Sequence, residues 1–239
     1  MDDKNHVIKS FSEMASRYES LMNSELNRFW GFNYAEFVKE LINEIVFDRN
    51  QCALDIATGT AFIPQSISNE GKSLNELVGL DITYEMLHNA KKQIAERQIR
   101  QAIYLVCGSA HELPFRKNSF DIITCCLATH HMDIDLLMSE AFESLKSKGK
   151  FHIADVGAST KWKSRIIKFI LRVGAFIYFL FIENYSRAKA ESEAVENIYT
   201  VQEWQDIIKS HGFIDIKLRE LKSRRFWAPN PVIIEARKS

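Results

Sequence analysis

A turn of small residues and two acids mark where this chain is built to handle a ligand. Leu54-Asp55-Ile56-Ala57-Thr58-Gly59-Thr60-Ala61 begins as an apolar run and ends in residues with little or no side chain. Such residues let a ligand approach the backbone, and amides at the start of a following helix can meet a carboxylate or phosphate. Phe62-Ile63-Pro64-Gln65-Ser66-Ile67 reads as that helix, with proline in its first turn where a missing N–H costs nothing. Further along, Leu77-Val78-Gly79-Leu80-Asp81-Ile82 is a second apolar run closed by an acid. A carboxylate at that point can accept both hydroxyls of a ribose lying across a sheet edge. The turn is poor for a dinucleotide fingerprint, because Ala57, Gly59 and Phe62 stand where three glycines are wanted. Alone, it predicts a nucleotide-like ligand and leaves the ligand's identity open.

The elements that must position these groups alternate strand with helix. Thr83 is placed to N-cap a helix carrying Met86, Leu87 and Ala90 on one face. Residues 103–107 read as a third strand, followed by Gly108-Ser109-Ala110-His111-Glu112-Leu113-Pro114-Phe115, and residues 119–127 as a fourth. Residues 136–145 form an amphipathic helix, and Lys148-Gly149-Lys150 turns into a fifth strand over 151–155. Thr200 can N-cap a helix through Trp204 and Ile208, ending near His211-Gly212. Two closing strands, 213–218 and 231–236, follow, with Pro229 and Pro231 keeping their connection out of regular pairing. This order predicts an α/β fold with a doubly wound, parallel sheet.

Together the turn at 54–61, the run 78–81, the segments 108–115 and 119–121 and the stretch 145–155 resemble the class I S-adenosylmethionine-dependent methyltransferases. The amino-terminal Phe11-Ser12-Glu13-Met14-Ala15-Ser16-Arg17-Tyr18-Glu19-Ser20-Leu21-Met22-Asn23, with Phe29-Trp30 beyond it, is similar to their ubiquinone/menaquinone-biosynthesis C-methyltransferase branch. The likeness runs motif by motif over residues 7–156 and by layout alone thereafter. It implies a Rossmann-like, mostly parallel seven-stranded sheet with a C-terminal antiparallel hairpin and a helical cap. The whole chain is then a single domain: an N-terminal lid (1–47), a cofactor-binding core (48–156), a cap insertion (157–199) and a closing helix and hairpin (200–239). The resemblance also places S-adenosylmethionine, and its product S-adenosylhomocysteine, against Tyr18, Asp55, Ala57, Thr58, Gly59, Thr60, Asp81, Ile82, Met86, Ser109, Ala110, Cys126 and Leu127. No metal is implied. Two departures stand out. The family's first turn usually carries three alternating glycines, where this chain has Ala57, Gly59 and Ala61; alanine fits if neither position needs a positive φ. Ser109 stands where an aspartate generally reads the adenine amine, so a charge-assisted hydrogen bond is lost.

Composition excludes several classes. Lys+Arg and Asp+Glu both number 31, so no net charge favours nucleic acid. Cys52, Cys107, Cys125 and Cys126 lack metal-ligand spacing and read as core residues of a reducing compartment. Met1-Asp2-Asp3-Lys4-Asn5-His6 has no apolar stretch of the signal-peptide kind, and a cytoplasmic location is expected.

Residues 161–184 are unusual. An uncharged run over 173–182 follows Ile166, Ile167, Phe169, Ile170 and Leu171, but Lys168 and Arg172 interrupt it, and it is about half the ~20 residues of a membrane span. The expectation is a pair of cap helices that either cover the sheet or line an apolar acceptor pocket together with residues 18–30. Peripheral membrane contact through 161–183 follows if Lys161, Lys163, Arg165, Lys168 and Arg172 face headgroups. The polar stretch 186–191 reads as exposed. The acceptor is then a small apolar or aromatic, quinol-like molecule, with C-methylation favoured over O-methylation. Carbon methylation needs a base. Its candidates are His130, His131, Asp155, Tyr18 and Tyr185, with His130 and Asp155 foremost and Asp155 expected to face the crevice. The rival readings are a non-catalytic S-adenosylmethionine-binding module, an N- or O-methyltransferase of a polar molecule, and a nicotinamide-dependent reductase. The last is disfavoured by the missing third glycine and the lack of a Tyr-x-x-x-Lys pair near a later strand.

Overall fold

The computed structural model describes residues 5–226 and 228–239 and, for Lys163, the backbone alone. Strands β1 (Cys52–Ile56), β2 (Glu76–Asp81), β3 (Tyr104–Cys107), β4 (Phe120–Cys126), β5 (Leu145–Asp155), β6 (Phe213–Glu220) and β7 (Val232–Lys238) form one sheet. Their order is β3-β2-β1-β4-β5-β7-β6, parallel except at the antiparallel β5–β7 and β7–β6 pairs. The fold is the one expected, hairpin included. Strand order reverses between β1 and β4, so a crevice opens beyond their carboxyl ends, the place where open α/β sheets bind ligands.

The central strands are apolar on both faces because helices cover both. Helices α3 (Tyr34–Ile42) and α4 (Phe62–Asn69) press Phe37, Leu41, Ile42, Ile63 and Ile67 onto one face. Helices α6 (Ile134–Ser144) and α9 (Val201–Ser210) press Leu137, Met138, Trp204 and Ile208 onto the other. Capping boxes begin α3 (Asn33 with Glu36) and α9 (Thr200 with Glu203), each stabilising its helix by about 1 kcal/mol. Thr83 sits at the N-cap of α5 (Tyr84–Glu96), but its side chain makes no cap bond; its amide donates to Asp81 instead.

Strand β5 starts at Leu145, earlier than expected. Lys148 takes a φ of 65° and the ladder with β4 slips between Phe120 and Ile122, so a bulge absorbs the Lys148-Gly149 turn inside the strand. Cys125 and Cys126 are buried as expected, whereas Cys107, on the edge strand β3, is exposed.

Helices α1 (Asn5–Met14) and α2 (Tyr18–Trp30) precede the sheet, and the cap is a pair, α7 (Arg165–Ile182) and α8 (Tyr185–Ala194). Helix α8 overturns the expectation of an exposed polar stretch. Its Ser186, Arg187, Ala188, Ala190 and Ala194 are buried: the serine and the alanines let the helix pack closely on α1 and α7, and Arg187 pairs with Glu25 and Glu191. Helix α7 buries Phe179 yet leaves Ile166, Phe169, Ile170, Val173, Ile177, Leu180 and Phe181 exposed along its outer face. Lys168 and Arg172 turn inward to Glu196, so neither rims that face. Lys161 and Arg165 remain exposed. Residues 1–4 and the Lys163 side chain, both part of the sequence-based expectations, lie outside the described residues. No helix among the described residues is long and apolar enough to cross a membrane.

Candidate active site

The turn after β1 folds by three left-handed residues in alternation: Ala57 at φ 54°, Gly59 at 55° and Ala61 at 56°. The two alanines therefore occupy a conformation that suits glycine, and each carries a cost of about 1–2 kcal/mol. The condition under which alanine would fit without strain is not met. The turn brings the Gly59 amide to Asp81 Oδ2 at 2.8 Å, while Oδ1 accepts the Thr83 amide at 2.8 Å. The Gly59 amide is thus committed to the acid. Asp81 is 7% exposed, and burial raises its pKa against these hydrogen bonds. The Thr83 hydroxyl and the Ile82 amide also donate to this carboxylate, so a ligand hydroxyl would share or displace one of these donors.

Asp81 stands in the wall of a cavity of about 810 Å³, mouth included. Tyr18, Ala57, Gly59, Ile82, Met86, Ser109, Ala110, Cys126 and Leu127 line it too, as the resemblance implied. Asp55, Thr58 and Thr60 do not. Asp55 points between strands, accepting from Thr124 Oγ1 at 2.6 Å, and burial pushes its carboxyl up to about 7. Thr58 packs against Gly79, and Thr60 donates to Glu19 Oε1 at 3.2 Å. The residues expected at the site did not include Val7, Ile8 and Phe11 of α1, which line this cavity, nor Thr83, His111 and Met132. The amphipathic spacing of Val7, Ile8 and Phe11 was the available signal.

The lining suits S-adenosylmethionine. A buried acid at the end of β2 stands where a ribose could meet it, and Ile82, Met86 and Ala110 offer apolar surface to a flat base. Ser109 Oγ already accepts the His111 amide at 3.1 Å and can still donate.

A second cavity of about 1,120 Å³ lies under the cap, lined chiefly by apolar side chains that include Met22, Leu26, Phe29, Trp30, Val156 and Phe179. The two cavities share Phe11, Tyr18, Leu127 and His131. Phe176 lines neither and packs on Tyr185, which is 62% exposed and absent from both walls.

His130 lines the second cavity, but Asp155 does not. Asp155 is 1% exposed, and its oxygens are taken by Thr129 N (2.8 Å), Thr129 Oγ1 (2.5 Å), Val156 N (2.6 Å) and His130 Nδ1 (2.6 Å). The expectation that Asp155 faces the crevice fails, because the loop after β4 wraps over the end of β5. Asp155 positions His130 instead. Burial favours neutral His130, but the Asp155 charge and hydrogen bond outweigh it and raise its pKa. His131 moves down, through burial and the neighbouring His130.

Sheet order, the left-handed turn after β1 and the acid closing β2 define an S-adenosylmethionine-dependent methyltransferase. The sequence profile of the ubiE/COQ5 methyltransferase family matches residues 1–223, and the chain belongs to that family. It is 28% identical to a ubiquinone/menaquinone biosynthesis C-methyltransferase of Rickettsia typhi over 227 residues, covering 90% of this chain and 87% of the relative. It is 27% identical to a demethylmenaquinone methyltransferase of Thermotoga maritima over 215 residues, covering 88% and 89%. Among solved structures, the geranyl diphosphate C-methyltransferase of Streptomyces coelicolor shares the fold, with a TM-score of 0.66 at 13% identity, covering 94% of this chain and 86% of that one.

Proposed function

We propose that this chain binds S-adenosylmethionine in the first cavity and methylates a ring carbon of an apolar, quinol-type acceptor held in the second. The observation that carries this reading is the shared wall of Phe11, Tyr18, Leu127 and His131 between a cavity with a ribose-binding acid and one lined by aromatic and aliphatic groups. Most of that second wall is apolar, which suits a ring system carrying few polar groups. The names of the Rickettsia and Thermotoga relatives point the same way.

When bound, S-adenosylmethionine supplies an electrophilic sulfonium methyl group. The chain's own task is alignment, exclusion of water and removal of one proton. Asp155 holds His130 Nδ1 as the hydrogen-bonded nitrogen, leaving Nε2 to accept a proton from the acceptor's hydroxyl or ring. Tyr18, packed 3.6 Å from where a Cβ on Gly59 would lie, stands in the wall that the two cavities share.

We also propose that the exposed face of α7 rests on a lipid surface. Leu171, Ala175 and Phe179 on the inner side of the same helix line the acceptor cavity, so a lipophilic acceptor could pass from bilayer to cavity beside one helix. Lys161 and Arg165 supply charge toward anionic headgroups.

The test of the reaction is incubation of the protein with methyl-labelled S-adenosylmethionine and a panel of a prenylated naphthoquinol, a catechol and a small primary amine. A C-methylated naphthoquinol is the expected product. Turnover on the amine alone sinks the reading.

A further inference from the structure

Helix α8 carries a cation that the reaction above leaves unused. Arg187 is 4% exposed, with its guanidinium carbon 5.7 Å from the ring centre of Phe11 and 5.2 Å from that of Phe179. One terminal nitrogen, Nη2, lies 3.0 Å from Glu25 Oε2 and 3.1 Å from Glu191 Oε1. The other, Nη1, meets only the Met14 sulfur, at 3.3 Å, and a thioether is a weak acceptor. Nε is buried and has no partner among the described residues. A guanidinium has five donor hydrogens, and buried donors are rarely left without acceptors. Arg187, Glu25, Glu191, Phe11 and Phe179 all line the second cavity, and the buried Nδ1 of His131, in the same wall, is also unpartnered. A side chain kept only as an ion pair has no need of spare donors beside an open apolar space.

We propose that Arg187 receives an ionised oxygen of the methyl acceptor, a phenolate or enolate whose ring lies in the apolar cavity. The proposal rests on the reading that this cavity holds the acceptor, and it names the acceptor's polar determinant. An oxyanion on the ring makes its neighbouring carbon nucleophilic, so a residue that favours the anion both selects the substrate and prepares it. Burial pushes the Glu25 carboxyl up to about 7 despite Arg187, so near neutrality one of the two counter-charges is readily withdrawn in favour of a ligand anion. A metal ion is the competing occupant, because ligand atoms of His130, His131 and Glu191 lie within 4.8 Å of one another. The guanidinium 3.1 Å from the Glu191 carboxylate opposes a cation there.

Two probes of one ring system test this on the full chain with saturating S-adenosylhomocysteine: 2-hydroxy-1,4-naphthoquinone, an anion at neutral pH, and 1,4-naphthoquinone, which has no acidic hydroxyl. Calorimetry should show the wild-type protein binding the anion about tenfold more tightly, the scale of one hydrogen bond to a charged group. Arg187→Gln should bring that ratio near one while the affinities for 1,4-naphthoquinone and S-adenosylhomocysteine hold. Glu25→Gln, which removes a competing carboxylate, should raise the ratio, an effect that a merely structural ion pair does not produce. Equal binding of both probes by the wild type, or a preference surviving Arg187→Gln, overturns the proposal and leaves the acceptor cavity standing. If Arg187→Gln does not fold, Glu25→Gln decides: an unchanged or lower ratio overturns it. Binding of neither probe overturns the acceptor-cavity reading and this proposal with it.

Discussion

His130 Nδ1 lies 2.6 Å from Asp155 Oδ1, and the same carboxylate takes three further donors from Thr129 and Val156. The pair is buried at the carboxyl ends of β4 and β5, with the histidine reaching the second cavity and the acid held behind it.

This arrangement predicts a pH profile. The Asp155 charge holds the His130 pKa above its ordinary 6.5, and a base must be neutral to accept a proton. The acid limb of kcat/KM should therefore fall at higher pH than that of an unperturbed histidine, with activity rising as His130 deprotonates. Asp155→Asn removes the charge and the charge-assisted hydrogen bond that most raise the ring's pKa and should move the limb downward. His130→Phe should cut kcat by roughly a hundredfold, the scale of general base catalysis. A limb that ignores Asp155→Asn removes His130 from the chemistry.

Asp81 should anchor the cofactor. Asp81→Ala is expected to weaken S-adenosylhomocysteine binding by about 1.5–3 kcal/mol, the range for hydrogen bonds to a charged group. Isothermal titration on the folded variant provides the measurement, and an unchanged affinity would place the ribose elsewhere.

The left-handed alanines should be relievable. Ala57→Gly is expected to stabilise the fold by roughly 0.5–1 kcal/mol, the relief of φ strain less the added freedom of the unfolded chain. Ala61, also left-handed, is fully buried. Its lost methyl packing should offset the relief in Ala61→Gly. Urea midpoints at constant slope separate the two cases, and a loss of stability in Ala57→Gly contradicts the account.

The outer face of α7 should bind lipid. Phe169→Asp together with Ile170→Asp, at positions 67% and 61% exposed, should abolish co-sedimentation with vesicles containing anionic phospholipid. S-adenosylhomocysteine affinity should stay at the wild-type level. If the wild type ignores vesicles and the variant instead splits a dimer, a second copy of the chain covers this face.

Much of the site could be read from local pattern. Asp81 and the turn at 57–61 each stand at the end of an apolar strand, so their placement follows from strand direction alone. Asp155 shows what local pattern does not carry. Its position at the end of β5 was foreseen, but which way a carboxylate turns depends on the loop after β4, which arrives from elsewhere in the chain and supplies Thr129 and His130. Arg187 was misplaced for a related reason. A charged residue among Ser186, Ala188, Lys189 and Ala190 has the composition of a solvated helix. Only the packing of α8 on α1, with Glu25 supplied by α2, makes it an interior cation. Strain at Ala57 and Ala61 was equally hidden, since a backbone angle leaves no mark on residue type when evolution has accepted the second-best residue.

Phe11, Tyr18, Leu127 and His131 belong to both cavity walls, and Phe11 comes from the lid helix α1. On the proposed reading, a molecule filling either cavity packs against side chains that the other ligand also touches. The two affinities are thermodynamically linked, and the linkage is reciprocal by necessity: whatever factor S-adenosylhomocysteine adds to acceptor binding, the acceptor adds to S-adenosylhomocysteine. Turnover then has a traffic problem as well as a chemical one. The spent cofactor leaves most readily after the methylated product has gone, and a product that lingers holds the door shut behind it.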